Sequence, residues 1–486
     1  MFGYYTIESN GQRCYCNVTL CECHTFDYDG NTYVFDVQKM TAHTIPARLA
    51  GLIERLRANP GLLLPEAVME ALQALGLVPD DAAAAPATAP PAEPDATSGD
   101  PEFPVTNIAL FLAQECNMRC VYCYGDAGTF GGEGLMDEAT ALRAVDWLVA
   151  HSGKAPRISI GFFGGEPLLN FPLMRVVVAY ARQQAAKAGK TIGFTITTNA
   201  SLLTDASIAF IREEQIDPLI SFDGPPEIQN RQRPFKDGRG SYDTVTANIA
   251  KLQQAYPHLT ARATLCDGAA PRLIKKELQR LGFASYLIIP VSPAIGQGPG
   301  QDAPGKALAA DLPARMLAFN RQEAEELLVA IRERALKKGS LPMVLGSMNV
   351  LLTGVKQHHG CGIGKTMAGV TISGDVYPCH RFAGLTEKRQ GKLSAYEPRE
   401  PNDYHLAFVD NLPECRGCWA RYHCGGGCFY HNLASTGDMR RPDQAVCRER
   451  RASFESLIHV FCQLSEEERA YAREMLRVPN EEARQA

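Results

Sequence analysis

Long apolar runs are absent from this chain. No uncharged stretch approaches ~18 residues, the length needed to cross a bilayer, so no membrane span is expected. The first residues, Met1 to Ser9, also lack a basic segment followed by an apolar one, the mark of a secretory signal. An excess of either charge is missing too. With 49 basic and 54 acidic residues the net charge is −5, which gives no electrostatic footprint for nucleic acid. Neither nucleic acid nor membrane is expected as a partner, and the expected compartment is the cytoplasm. Cysteine, by contrast, is plentiful: 16 among 486 residues, many in close clusters. In a cytosolic chain such clusters favour metal ligation over disulfides. The length allows two to four domains, each with its own core.

The densest cluster is Cys116-Asn-Met-Arg-Cys120-Val-Tyr-Cys123. It follows the apolar run 107–113, which reads as a buried strand, so its thiols sit on the loop leaving that strand's C-terminal end. Three thiolates can hold three irons of a 4Fe–4S cube, which normally takes four cysteines, and leave the fourth iron open to a small ligand. The competing reading is zinc, which usually takes four ligands in pairs.

Strand-like stretches at 107–113, 157–163, 192–198, 218–222, 261–266 and 284–290 alternate with helical patterns at 137–151, 171–188, 205–214, 243–255 and 271–281. Six β/α units predict an α/β fold with a parallel sheet curled into a partial barrel, over about 105–345. Active residues of such folds gather at the C-terminal strand ends. The polar motifs fall there. Gly164-Gly165-Glu166-Pro167 follows the second strand; its glycines let backbone approach a ligand closely, and Glu166 can meet an ammonium. Thr197-Thr198-Asn199 ends the third strand. Ser221-Phe-Asp-Gly-Pro225 ends the fourth, with Arg233 beyond. Taken singly, each could be an ordinary turn or a solvated arginine. A Gly/Pro-rich stretch at 294–305 reads as a loop that could lie over the barrel mouth, and 312–338 reads as a long amphipathic helix.

Residues 1–80 read as a small α+β module. The hairpin at 25–37 turns at Asp29-Gly30-Asn31, and helical patterns follow at 46–58 and 65–75, the second stopped by Gly76. Cys14, Cys16, Cys21 and Cys23, with His24 adjacent, could hold zinc or a further cluster, or be hairpin thiols without metal. Residues 81–104, rich in Ala and Pro, read as a disordered linker that lets the module move. The region 346–486 brings Cys361, Cys379, Cys415, Cys418, Cys424, Cys428 and Cys447. Seven ligands exceed one zinc and fall one short of two.

Together these motifs resemble the radical S-adenosylmethionine (SAM) peptide maturases that carry a SPASM domain, over about residues 105–450. The resemblance implies a TIM-like partial (β/α)6 barrel between a peptide-recognition domain, which pairs an edge strand with a leader peptide, and an iron–sulfur domain. It implies SAM as cofactor, chelated to the open iron of a cluster held by Cys116, Cys120 and Cys123, and cleaved to a 5′-deoxyadenosyl radical. Gly164, Gly165, Glu166 and Pro167 match the motif for the SAM amino group. Ser221 and Arg233 match the ribose and carboxylate contacts, Tyr122 the aromatic near adenine, and Thr198 and Asn199 are suited to ligand hydrogen bonds. Two auxiliary 4Fe–4S clusters are implied, an outer one on Cys415, Cys418, Cys424 and Cys447 and an inner one on Cys361, Cys379 and Cys428. Where some relatives place an eighth cysteine, this chain has Met367. A substrate thiolate, His358, His359, His380 or Cys266 could complete the inner set.

The implied activity is oxidoreductive cross-linking of a precursor peptide or protein, with a Cys thioether favoured, as in the quinohemoprotein amine dehydrogenase maturases. Carbon–carbon cross-linking stays open. A sulfatase-type formylglycine maturase is the enzymatic alternative, against which the front module argues. A non-catalytic iron–sulfur electron carrier or peptide-binding protein is the other, against which the SAM-pocket motifs argue. An external flavodoxin- or ferredoxin-like electron donor is expected. No side chain beyond the cluster ligands is singled out as catalytic.

Overall fold

The computed structural model describes residues 5–9, 12–16, 18–78, 104–266, 268–293, 295, 311–337, 343–395 and 408–476. The expected linker lies outside the described residues except for Pro104, as does the expected 294–305 loop except for Ile295.

The front module holds β1 (Tyr5–Ser9), β2 (Gln12–Cys16), β3 (Cys23–Tyr28), β4 (Asn31–Asp36), β5 (Thr41–Ile45), α1 (Ala47–Ala58), β6 (Leu64–Pro65) and α2 (Glu66–Ala74). The hairpin forms as its turn chemistry predicts. Tyr28 pairs with Asn31, so Asp29 and Gly30 make a two-residue loop with φ of 48° and 72°. Positive φ at both positions is what this tight turn needs, and Asp-Gly supplies it cheaply. β5 extends the hairpin sheet, while β1, β2 and β6 form a second one. Ile53 and Leu56 of α1 and Leu72 of α2 bury themselves against Val34 and Ile45.

The barrel follows: β7 (Asn107–Ala113), α3 (Glu138–His151), β8 (Arg157–Gly164), α4 (Phe171–Lys187), β9 (Thr191–Thr198), α5 (Asp205–Glu213), β10 (Ile216–Ser221), α6 (Pro226–Gln232), α7 (Tyr242–Ala255), β11 (Thr260–Leu265), α8 (Pro271–Arg280) and β12 (Ser285–Pro290). The six strands lie parallel and in chain order. Alternation drives this: in β7, Ile108, Leu110 and Leu112 enter the core shared with the helices, while Phe111 faces Phe130 and Phe163 on the other side.

The C-terminal third holds α9 (Leu312–Arg332), α10 (Met343–Thr353), β13 (Met367–Val370), β14 (Asp375–Tyr377), β15 (Gly391–Lys392), α11 (Pro413–Arg416), α12 (Arg421–Cys424), α13 (Phe429–Thr436), α14 (Gln444–Gln463) and α15 (Glu466–Leu476). The long helix expected to run to 338 ends at Arg332. β13 pairs parallel with β7, and β14 and β15 continue antiparallel, so one sheet of nine strands crosses the expected border at 345. An open β7 edge would leave unpaired backbone groups, and β13 covers it.

The front module is seated on the C-terminal third. Phe35 meets Phe454 edge-on at 5.3 Å, and His24 stacks on Trp419 at 3.9 Å. Arg421, 5 % exposed, pairs with Glu22 of the module and with Asp410. None of the helices is long and apolar enough to cross a membrane, among the described residues.

Candidate active site

The mouth of the barrel begins where β7 and β8 end side by side. Gly165 N donates to Ala113 O at 2.9 Å and Glu166 N to Glu115 O at 3.0 Å. A Cβ on Gly164 would lie 2.1 Å from Ala113 O, and one on Gly165 would lie 2.1 Å from Glu115 O. The close approach these glycines permit is therefore to the protein's own cysteine loop, although both also line the cavity. Pro167 opens a short 3-10 turn, Pro167–Asn170, and does not line the cavity.

That cavity encloses about 1070 Å³ including its open mouth. Cys116, Cys120, Tyr122 and Cys123 line it from the first loop, and Glu166, Thr198, Asn199, Ser221 and Arg233 from the next strand ends. Glu166 is 1 % exposed. Its Oε1 accepts from Leu168 N at 3.1 Å and Thr198 Oγ1 at 2.8 Å, and its Oε2 from Asn199 N at 2.8 Å. Burial pushes its carboxyl above the usual range, and these bonds oppose the shift. A carboxylate offers about four acceptor positions, so roughly one is left for a cationic group. Thr198 is thus engaged with Glu166. Asn199 reaches back to the first loop, its Nδ2 donating to Asn117 Oδ1 at 2.9 Å and lying 3.8 Å from Cys116 Sγ.

Tyr122 and Arg233 are locked by a residue of the fourth strand-end motif to which the sequence assigns no role. Asp223, fully buried, accepts from Tyr122 Oη at 2.7 Å, Gln232 Nε2 at 2.8 Å and Thr264 N at 2.9 Å. Arg233 Nη1 donates to the same Tyr122 oxygen. Arg233 Nε and Gln232 Oε1 are buried and have no partner among the described residues. The signal for Asp223 was an acid two residues past the β10 end, set between Phe222 and Gly224.

The three thiols suit an iron–sulfur cluster. Burial is the main cause that pushes Cys116 up to about 11 and Cys120 up to about 12, with Glu166 and Cys123 contributing at the first and Cys123 and Cys116 at the second, against Arg233. Bound metal would offset that cost with its own charge, and soft thiolate donors select such clusters. Among the described residues no three His, Cys, Asp or Glu side chains meet around one ion-sized point; a cube binds each thiolate at a different iron.

The C-terminal thiols separate into two groups. Cys415 is pushed up to about 12 by burial, with Cys424, Cys447 and Cys418 adding to it. Cys379 is likewise pushed up to about 12, with Cys361 and Cys428 adding. Cys266 belongs to the barrel core just past β11, where burial pushes its thiol up to about 12 and Asp223 and then Cys120 add to it. His358 pairs with Asp410 at 3.3 Å, and His359 Nδ1 lies 2.6 Å from Cys361 O. His380 Nδ1 lies 3.7 Å from Cys379 Sγ, and burial holds its ring down to about 3. Met367 stands in β13. In the front module, Cys21 Sγ donates to Gly76 O at 3.7 Å, and Cys23 Sγ accepts from Arg57 at 3.1 Å. Cys14 lies in β2, and the Cys16 side chain is outside the described residues. His24 is drawn away to Trp419 and Glu455.

Sequence reasoning also missed Tyr124, Arg262, Ser292 and Arg381, all on the cavity wall. Arg381 lies between this cavity and the second group of thiols. Its backbone N is 3.5 Å from Cys379 Sγ and its Nη1 is 3.6 Å from Cys428 Sγ, while its guanidinium stacks over Tyr124 and Tyr430. Its place two residues after Cys379 was the available clue.

Residues 111–269 match the radical SAM superfamily. That stretch of the chain therefore carries a radical SAM domain, a domain whose superfamily uses SAM and an iron–sulfur cluster. A serine-type anaerobic sulfatase-maturating enzyme of Bacteroides thetaiotaomicron is 25 % identical over 363 residues, 68 % of this chain and 84 % of that one. An uncharacterised protein of Methanocaldococcus jannaschii is 36 % identical over 135 residues, where this chain spans 44 % of its length. Among solved structures, native anSMEcpe with bound AdoMet and Cp18Cys peptide superposes with a TM-score of 0.61 at 18 % identity, covering 74 % of this chain and 100 % of that one. SuiB of Streptococcus suis bound to precursor peptide SuiA gives 0.50 at 12 %, covering 88 % and 99 %. At these identities the structures establish a shared fold.

Proposed function

We propose that this chain modifies a peptide or protein substrate at the barrel mouth, forming a cross-link and in the first instance a Cys thioether. The observation that carries the reading is one cavity bounded by the Cys116–Cys123 loop on one side and by Arg381, with the Cys379 and Cys428 thiols behind it, on the other. SAM on an iron–sulfur cluster held by Cys116, Cys120 and Cys123 would supply one-electron cleavage and a hydrogen-abstracting radical. The remaining work belongs to the chain. Glu166 keeps an acceptor position for an ammonium, and Gly164 and Gly165 hold the cysteine loop against it. Tyr122 offers a ring face, with Arg233 and Ser221 beside it for polar groups. Cys415, Cys418, Cys424 and Cys447 would hold one auxiliary cluster and Cys361, Cys379 and Cys428 another, with His380, 3.7 Å from Cys379 Sγ, a candidate to complete the latter. The front module supplies an edge strand for peptide capture, and an external flavodoxin- or ferredoxin-like protein supplies electrons. The proteins in two superposed structures are bound to peptides, which supports a peptide substrate.

A second reading, formylglycine formation, is favoured by the 68 % coverage of the sulfatase-maturating relative. Mass spectrometry of a candidate peptide after incubation with reduced enzyme and SAM decides between them. The thioether reading expects two hydrogens lost and one thiol consumed. A hydrazine-reactive aldehyde would establish the second reading. An electron carrier would yield no 5′-deoxyadenosine at all. Anaerobic reconstitution should give about 12 irons per chain if three cubes form, and about 8 in the C116A/C120A/C123A variant.

A further inference from the structure

Ser292 lines the cavity just past β12. Its hydroxyl lies 3.3 Å from Nδ1 of His431 on α13. His431 Nε2 in turn lies 3.4 Å from Asp443 Oδ2. Asp443 is held in place because it caps α14, its Oδ1 accepting from Ala445 N at 2.8 Å. Three side chains from separate parts of the chain thus form a line leading away from the cavity. The line reaches water, since the His431 and Asp443 side chains are 18 % and 26 % exposed.

The line has a direction. A carboxylate only accepts, so the imidazole proton belongs on Nε2, and Nδ1 turns its lone pair to the Ser292 hydroxyl. A proton arriving at the serine oxygen from the cavity can therefore be matched by the serine proton moving to Nδ1. Burial holds the His431 ring below its ordinary range; Asp443 opposes this, while Arg381 and Arg450 add to it. At neutral pH the ring is neutral and free to accept.

We infer that Ser292, His431 and Asp443 form a proton relay that drains the cavity of the proton released when the substrate is oxidised. The inference rests on the proposed peptide-modifying reading. In thioether formation a C–H and an S–H bond break and a C–S bond forms. The hydrogen atom leaves carbon for the SAM-derived radical, the thiol proton leaves through Ser292 to His431, and one electron passes to an iron–sulfur acceptor. Formylglycine formation releases the same proton and electron, so the relay serves either product.

The test uses the full chain, reconstituted with its clusters, SAM and a peptide that the wild type modifies. In single turnover, product formation should rise with pH through the His431 titration. H431Q should remove that acid limb and lower product per 5′-deoxyadenosine about 100-fold, the usual scale for a lost general base. S292A should lower the same ratio without changing iron content. D443N should move the limb to lower pH, because the Asp443 charge raises the His431 ring. Deuterium exchange at the imidazole C2 carbon, read by mass spectrometry, gives the His431 midpoint without turnover. It should lie below about 6.5 in the wild type and lower still in D443N. An unchanged ratio in H431Q, an acid limb that survives there, or a midpoint indifferent to D443N would each overturn the relay. Wild-type protein that cleaves SAM yet modifies no peptide would defeat the functional reading instead, and the exchange midpoints would still decide the relay.

Discussion

Gly165 has no room for a side chain, because the Glu115 carbonyl would lie 2.1 Å from its Cβ. G165A must push the cysteine loop or the β8 exit aside, at a cost of about 1–3 kcal/mol for overpacking. The expected outcome is a lower melting temperature together with loss of iron from the first site, checked by calorimetry and iron assay. Glu166 invites a parallel change. E166A strands the buried Asn199 N–H, at about 1–3 kcal/mol, whereas E166Q keeps an acceptor and should retain more stability in the same melt. The Gly-Gly-Glu motif was legible because glycine and a lone acid at a strand end announce a constraint. The partner was not legible. A sequence states what a glycine permits, while the neighbour that exploits the permission, here Glu115, arrives through the fold. Asp223 and Arg381 were missed for the same reason, since what they do is set by Tyr122, Thr264 and Cys428, which are distant in the chain.

Elements with strong periodicity were read well. The six parallel strands and the five helices read between them formed within two residues of their sequence patterns. Each carries enough alternating or 3.6-residue apolar signal to identify itself. β13 to β15 carried none, being two to four residues long; they exist because the β7 edge and the chain beyond it need partners. The short α12 makes a prediction of its own. Its Arg421 is buried between Glu22 and Asp410, and removing one partner of a buried pair costs about 3–5 kcal/mol. Glu22 is 40 % exposed and can recover water, so R421M should lie at or below the lower end. The measurement is thermal unfolding, with faster proteolysis between the front module and the barrel as the second sign.

At the scale of the molecule, the front module's seat contains a pH-sensitive contact. Tyr33 Oη lies 2.7 Å from His459 Nδ1 across the interface, and burial holds His459 below its ordinary value. His43 is lowered too, by burial and then by Arg469. A lowered histidine favours the neutral, seated form. Its contribution is complete above the unfolded value of about 6.5 and is lost as pH falls from there toward the folded value. Melting temperature should therefore drop between neutral and mildly acidic pH, and H459Q should drop less than the wild type; equal slopes would show that His459 is not responsible. By itself, the amino-acid order determined the alternation that makes the barrel, the three-thiol loop at its first strand end and the supply of thiols in the C-terminal third. These follow from spacing, which acts over a few residues through sterics and burial. Only the tertiary structure decided that Cys266 joins the barrel core, that Arg381 reaches Cys428 across 47 residues, and that Ser292 meets His431. Such pairings depend on how separate elements pack, and packing is settled by the whole core at once.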